Sequence, residues 1–329
     1  MGVYGSDRRQ GEGQLRHHGQ AEIDPQVVGA ARALADGGLV LLPTETVYGL
    51  GADASNPAAV AAIFEAKGRP RFNPLIAHVH DAASAARIAA FDDRAQALAA
   101  AFWPGPLTIV APVRDTVAVC DLARAGLDTV AIRVPGHPLS RAVLAAFGGA
   151  VVAPSANRSG RPSPTTFDDA FAETGDKAAA ALDGGPCEVG LESTVVAVLD
   201  GPVRLLRPGA VTRAQLEAVV GPLAEAENDA KRSPGRLALH YAPDAPVRIE
   251  AAAPEDGEAF LAFGAWPEGE GVFNLSPSGD LAEAAANLFS YLRAADRTKP
   301  VGIAVAPIPD EGLGEAINDR LRRAAGFIG

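Results

Sequence analysis

Sulfur is scarce in this chain of 329 residues, which has two cysteines, Cys120 and Cys187, and a single methionine. Two lone thiols build neither a disulfide framework nor the paired spacing of a zinc site, and they fit a reducing, cytoplasmic setting. Long apolar runs are missing too. Gly, Pro or a charge interrupts each one well short of the ~20 residues that span a bilayer, so no membrane association is expected. Residues 1–20, MGVYGSDRRQGEGQLRHHGQ, carry charge but no apolar core of the kind a secretory signal needs. They read as a flexible leader, and His17 and His18 within it have no further metal ligand nearby. Cations are the minority charge, 29 Lys and Arg against 40 Asp and Glu, for a net −11. That balance disfavours a protein that coats nucleic acid but leaves room for a local basic pocket. Familiar phosphate signatures are absent as well: no Walker sequence occurs, and GLGADA at 49–54 holds only the first half of a dinucleotide fingerprint. Nor is there a nucleophile elbow, a zinc motif or a kinase set.

What is present is clear punctuation. Length suggests two domains, and 48% hydrophobic residues supply sizeable cores. Asp24-Pro25 and Asn56-Pro57 each start a helix, the first ending at Gly37-Gly38 and the second near Lys67. Strand-like runs recur at LVLLP, PLIAHV, LTIVAPV, TVAIRV, AVVAP, STVVAVL and VRLLR, with helical patterns through 81–102. Asp200-Gly201 predicts a hairpin between the last two, and Thr212 to Gln215 a capping box. Residues 221–246 turn proline-rich and weakly periodic, as a linker does. Beyond it EAFLAF, LAEAAANLFSYLRAADRT, VGIAVA and GEAINDRLRRAAG alternate as strand, helix, strand, helix. Four segments follow: a leader (1–20), a large α/β domain (21–220), a linker (221–246) and a small α/β domain (247–329).

Polar clusters mark the chemistry. In PTETVYGLGADA, Pro43, Gly49 and Gly51 are expected to stop regular structure and leave Thr44, Glu45, Thr46 and Tyr48 on an exposed rim. EAKGRPR at 65–71 gathers Lys67, Arg69 and Arg71 in an acidic chain, either as a cationic helix end or as the seat of a polyanion. PSANRSGRPSPT at 154–165 crowds hydroxyls, an amide and two arginines into one loop. In open α/β sheets such loops at the carboxyl ends of strands bind ligands. Taken singly, each of these residues fits a turn, a cap or a solvated helix end.

LLPTETVYGLGADA, AKGRPRFNPL, WPGPLT, AIRVPGHP, APSANRSGRPSPT, GLESTVV and LRPGAVT, in this order over roughly residues 25–215, closely resemble the threonylcarbamoyl-AMP synthases, the YrdC/Sua5 proteins. The linker SPGRLALHYAPDAP is similar to that of the longer, Sua5-type members; it departs from their usual GMKYRHYAP at the start and keeps HYAP. The resemblance implies a YrdC-like twisted mixed α/β sheet with helices, plus a small C-terminal Rossmann-like α/β domain. It implies synthesis of threonylcarbamoyl-AMP and pyrophosphate from L-threonine, bicarbonate and ATP with Mg²⁺, in the cytoplasm, for threonylcarbamoyl modification of tRNA completed by other proteins. By carry-over, Arg69, Asn73, Thr129, Ser155, Asn157, Ser163, Arg207 and Tyr241 fall on ATP or the adenylate, and Lys67 and Arg69 on the reacting phosphates. Thr46, His78, Arg133, the backbone at Ala153, and Ser193 fall on threonine, Thr44 being an alternative to Thr46; His240 and Tyr241 form a lid. No protein-held metal and no covalent nucleophile is implied. Two rivals are a non-catalytic RNA-binding module of this fold and an adenylating enzyme that uses carbamoyl phosphate. The complete motifs and the net acidity oppose the first, and the lack of zinc-finger cysteines opposes the second.

Overall fold

The computed structural model describes residue 1 and residues 24–70, 73–225 and 240–326. Residues 2–20 of the predicted leader, Arg71 and most of the linker lie outside the described residues. Helix α1 (Pro25–Ala35) starts where the Asp24 carboxylate accepts from the Gln26 N–H. Strands β1 (Val40–Leu42) and β2 (Gly49–Asp53) precede α2 (Pro57–Lys67), which the Asn56 side chain caps and a left-handed Gly68 ends. Next come β3 (Ile76–His78), α3 (Ala82–Ile88), α4 (Asp93–Phe102), β4 (Leu107–Pro112), α5 (Asp121–Arg124) and β5 (Thr129–Arg133). They are followed by α6 (Pro138–Phe147), β6 (Val151–Val152), α7 (Phe167–Thr174), β7 (Ala180–Ala181), β8 (Thr194–Ala197), β9 (Arg204–Arg207), α8 (Arg213–Val220) and β10 (Ala224–Glu225). The C-terminal part runs β11 (Val247–Arg248), β12 (Glu258–Ala262), β13 (Val272–Asn274), α9 (Leu281–Arg297), β14 (Gly302–Val305) and α10 (Leu313–Ala324). No helix among the described residues is long and apolar enough to cross a membrane.

Ten strands form one mixed sheet in the order β10-β9-β8-β4-β5-β3-β6-β2-β1-β7. The β8–β9 hairpin and the Thr212–Gln215 capping box form as their residues predict. The turn region 43–51 does not. Gly49 and Gly51 lie inside β2, which runs antiparallel to β1. A Cβ on Gly51 would come within 2.9 Å of Val151 Cγ1 and 3.0 Å of Leu42 Cδ1, so its glycine serves close packing and does not stop the strand. Thr44, Thr46 and Tyr48 are buried accordingly, and the Tyr48 hydroxyl donates to the Gly185 carbonyl at 2.7 Å. The start of the expected linker is likewise ordered, with β10 pairing parallel to β9.

The second sheet is wholly parallel, β11-β14-β12-β13, as a Rossmann-like unit requires. Its core of Leu288, Phe289, Leu292, Ile303, Val305, Ile317 and Leu321 is continuous with Val47, Leu191 and Tyr241 of the larger unit and linker. Ion pairs reinforce the seam: Arg293 to Glu173 at 2.9 Å, Arg297 to Asp169 at 2.9 Å and Arg213 to Glu315 at 2.8 Å. The two units are therefore packed as one body along an apolar contact with a charged rim.

Gly190 sits in that seam at φ +71°, and a Cβ there would lie 2.5 Å from Ala286 Cα. Gly190→Ala is expected to cost about 1–3 kcal/mol through overpacking and a left-handed backbone. Urea unfolding checks this, and a midpoint equal to wild type would refute the close approach.

Candidate active site

Sheet order brings together residues far apart in sequence. Strands β3 and β5 run parallel and end at His78 and Arg133, while β8 starts, and β9 ends, at the same edge of the sheet. One cavity there is lined by Thr46, His78, Arg133, Ala153 and Ser193, all five residues expected on threonine. Arg69, Ser155, Arg207, His240 and Tyr241, from the nucleotide and lid sets, line it too. Because β8 contributes its amino end, the site is not made of carboxyl ends alone.

Hydrogen bonds hold the cavity's cations in place. Arg133 donates to Glu45 Oε1 at 2.6 Å, Thr46 Oγ1 at 2.9 Å and the Gly105 carbonyl at 3.2 Å. Thr44 shares its hydroxyl with its own turn, donating to the Val47 carbonyl at 2.6 Å, and does not line the cavity, whereas Thr46 does. Arg207 donates from Nη2 to the Ser193 carbonyl at 2.8 Å and to Ser193 Oγ at 3.2 Å; Ser193 Oγ also meets Thr108 Oγ1 at 2.7 Å. Arg69 donates to the Pro74 carbonyl at 3.3 Å, and its Nε is buried without a partner. Burial lowers Arg69 to about 10, so it stays a cation at neutral pH.

Other expected residues stand behind the wall. Lys67 Nζ donates to the Ser155 carbonyl at 2.5 Å and to that of Asn157, so it ties down the 154–165 loop from within. Burial first, and then the Arg69 charge, hold its pKa well below the usual lysine range. Asn157 donates to the Arg158 and Arg161 carbonyls at 2.8 and 3.0 Å, while its buried Oδ1 has no partner. Ser163 donates to Glu192. Asn73 and Thr129 are buried without lining the cavity. Thr129 begins β5, four residues or about 13 Å along the strand from Arg133.

Residues 32–209 match the Sua5/YciO/YrdC family, described as telomere recombination, and residues 211–326 match the threonylcarbamoyl-AMP synthase C-terminal domain. The chain is 40% identical to the threonylcarbamoyl-AMP synthase of Bacillus subtilis over 92% of its own length and 94% of the relative's. With the Pyrococcus abyssi synthase it shares 38% identity over 91% and 93%. The crystal structure of P. abyssi Sua5 complexed with L-threonine superposes with a TM-score of 0.83 at 36% identity, covering 92% of this chain and 94% of the other. The chain belongs to the Sua5-type threonylcarbamoyl-AMP synthases.

In this synthase the linker enters the site. His240 and Tyr241 stack edge to face with centroids 3.9 Å apart, both buried, and Tyr241 holds φ +62°, a strained value for a bulky residue. With both rings in place the cavity encloses about 50 Å³, room for a few waters, against the ~300–1,000 Å³ of ligand pockets. Glu192 was not foreseen: it lies inside the motif GLESTVV yet lines the cavity wall. Burial pushes its carboxyl up, but Arg320, Arg207 and the Ser163 hydrogen bond hold it below the ordinary range. Arg320 itself comes from the C-terminal domain, where no motif pointed to it.

Burial, aided by the Arg133 charge, pushes His78 down to about 3, and burial does the same to His240. Between pH 6.5 and 3 the unfolded chain then binds protons that the folded one refuses, so acidification destabilises the fold. Wild type is expected to lose about 1–2 kcal/mol more than His78→Gln between pH 7 and pH 5. Urea unfolding at the two pH values measures the difference; equal losses would contradict a buried neutral His78.

Proposed function

We propose that the cavity binds L-threonine beside bicarbonate on the Thr46, His78, Arg133, Ala153 and Ser193 side, and ATP along Arg69, Ser155 and Arg207. Arg133 is the partner for the amino acid's carboxylate, and its fork is held ready by Glu45 and the Gly105 carbonyl. Hydroxyls at Thr46 and Ser193 suit a substrate that itself carries a hydroxyl, and a site that satisfies that group disfavours analogues without it. The relative solved with L-threonine supports threonine as the ligand.

On the nucleotide side the reaction needs positioning and charge. A carbamate oxygen of the threonine adduct attacks the α-phosphorus, the bond from that phosphorus to the bridging oxygen breaks, and pyrophosphate leaves. Arg69 and Arg207 neutralise the charge that builds on the transferred and departing groups. Lys67 holds the Ser155–Asn157 backbone where it can meet phosphate oxygens. Asn73, Thr129, Asn157 and Ser163 complete the nucleotide side from behind the wall. Mg²⁺ would arrive with ATP, held chiefly by its phosphates, and would share the neutralisation of their charge. His240 and Tyr241 close over the loaded site and keep water from the labile carbamate. The product then passes to proteins that transfer the threonylcarbamoyl group to tRNA, in the cytoplasm.

The observation that carries this reading is the convergence on one cavity of residues from positions 46 to 241. Pyrophosphate release from Mg-ATP is expected to need both threonine and bicarbonate, and Arg69→Ala to slow it at least 100-fold while leaving the fold intact. Release without the co-substrates, or an unaffected variant, would remove ATP from this cavity. No release under any combination would favour an RNA-binding module instead.

A further inference from the structure

One side chain of the C-terminal domain hydrogen-bonds directly to the active-site wall. Arg320, on α10, is fully buried. Its Nε donates to Glu192 Oε2 at 3.0 Å and its Nη1 to the Pro208 carbonyl at 2.8 Å. Its guanidinium carbon lies 5.5 Å from the centre of the Tyr241 ring. Glu192 and Pro208 flank Ser193 and Arg207, which are themselves joined by hydrogen bonds, so Arg320 clips the start of β8 to the end of β9 from another domain.

Glu192 is the odd member of this wall, a carboxylate in a cavity that has to accept a polyanion. Left without Arg320 it would be a buried charge with the Ser163 hydroxyl as its hydrogen-bond donor and Arg207 as the other cation acting on it, and Arg207 would then be spent on the protein. We propose that Arg320 is a positioning residue of the synthase site: by satisfying Glu192 from the C-terminal domain it leaves Arg207 free to meet the triphosphate. This rests on the placement of ATP along Arg207. It also gives the C-terminal domain a direct part in nucleotide binding, because the charge balance of the cavity is complete only when α10 is seated.

The test is steady-state pyrophosphate release by the full chain, varying ATP and threonine separately. Arg320→Met is expected to raise KM for ATP about tenfold and KM for threonine less than threefold, since a stray carboxylate acts chiefly on the polyanion. Adding Glu192→Gln is expected to bring the ATP KM back to within about threefold of wild type, because a neutral amide no longer competes for Arg207. Arg320→Lys keeps the charge and falls between the two. An unchanged ATP KM in Arg320→Met, an equal rise for both substrates, or a double variant no better than Arg320→Met overturns the proposal. If Arg320→Met does not fold, the double variant decides: an ATP KM near wild type supports the proposal, and a tenfold rise overturns it. Arg69→Ala measured alongside separates the two readings. If it leaves the ATP KM untouched, the placement of ATP is wrong; if it raises that KM while Arg320→Met does not, only the role of Arg320 falls.

Discussion

Three guanidinium groups have to be kept on the wall of one cavity whose lining carries a single carboxylate, Glu192, itself paired with Arg320, and much of the structure answers that demand. Removing a cation from water is costly unless acceptors replace the lost hydration. Arg133 receives a carboxylate, a hydroxyl and a carbonyl; Arg207 receives the Ser193 carbonyl and hydroxyl; Arg69 has only the Pro74 carbonyl and keeps a buried Nε unsatisfied. Arg69 is thus the least compensated of the three, which is the condition in which an incoming phosphate gains most. The acceptors come mainly from backbone and turns, so their positions depend on sheet register. Register in turn depends on the apolar faces of β3, β5 and β8 being buried.

The segment at His240 and Tyr241 joins this wall to the C-terminal helices. Tyr241 occupies a left-handed backbone conformation and fits its ring between His240, Phe289 and Arg320. Such a conformation persists only when its surroundings over-determine it. Here the surroundings include both domains, since Phe289 and Arg320 belong to the C-terminal helices. The segment is thus held in a strained conformation by contacts from two sides. Asp296 steadies its far end, accepting from the Asp244 and Ala245 N–H groups at 3.0 Å.

Local chemistry was legible along the chain. Caps at Asp24, Asn56 and Thr212, the Asp200-Gly201 hairpin and most strands were readable because each depends on neighbours within a few residues. The family, and with it the residues proposed for the site, was readable from ordered motifs. Glycine misled at positions 49 and 51, because the same residue that ends a strand also permits two strands to pack closely, and only the neighbour across the sheet distinguishes the cases. Short strands such as β11 and β13 carry too few residues for a period to register.

By itself, then, the sequence determined the family, the helix ends and the inventory of cations and hydroxyls available for chemistry. Tertiary structure alone decided which of them share a cavity. It turned Lys67 toward two backbone carbonyls, put Thr46 and not Thr44 on the cavity wall, and brought Arg320 from the far end of the chain onto Glu192. The reason is one of range. Capping and turn formation are settled by adjacent atoms, whereas a buried charge is settled by whichever partner the packed fold delivers, however distant in sequence.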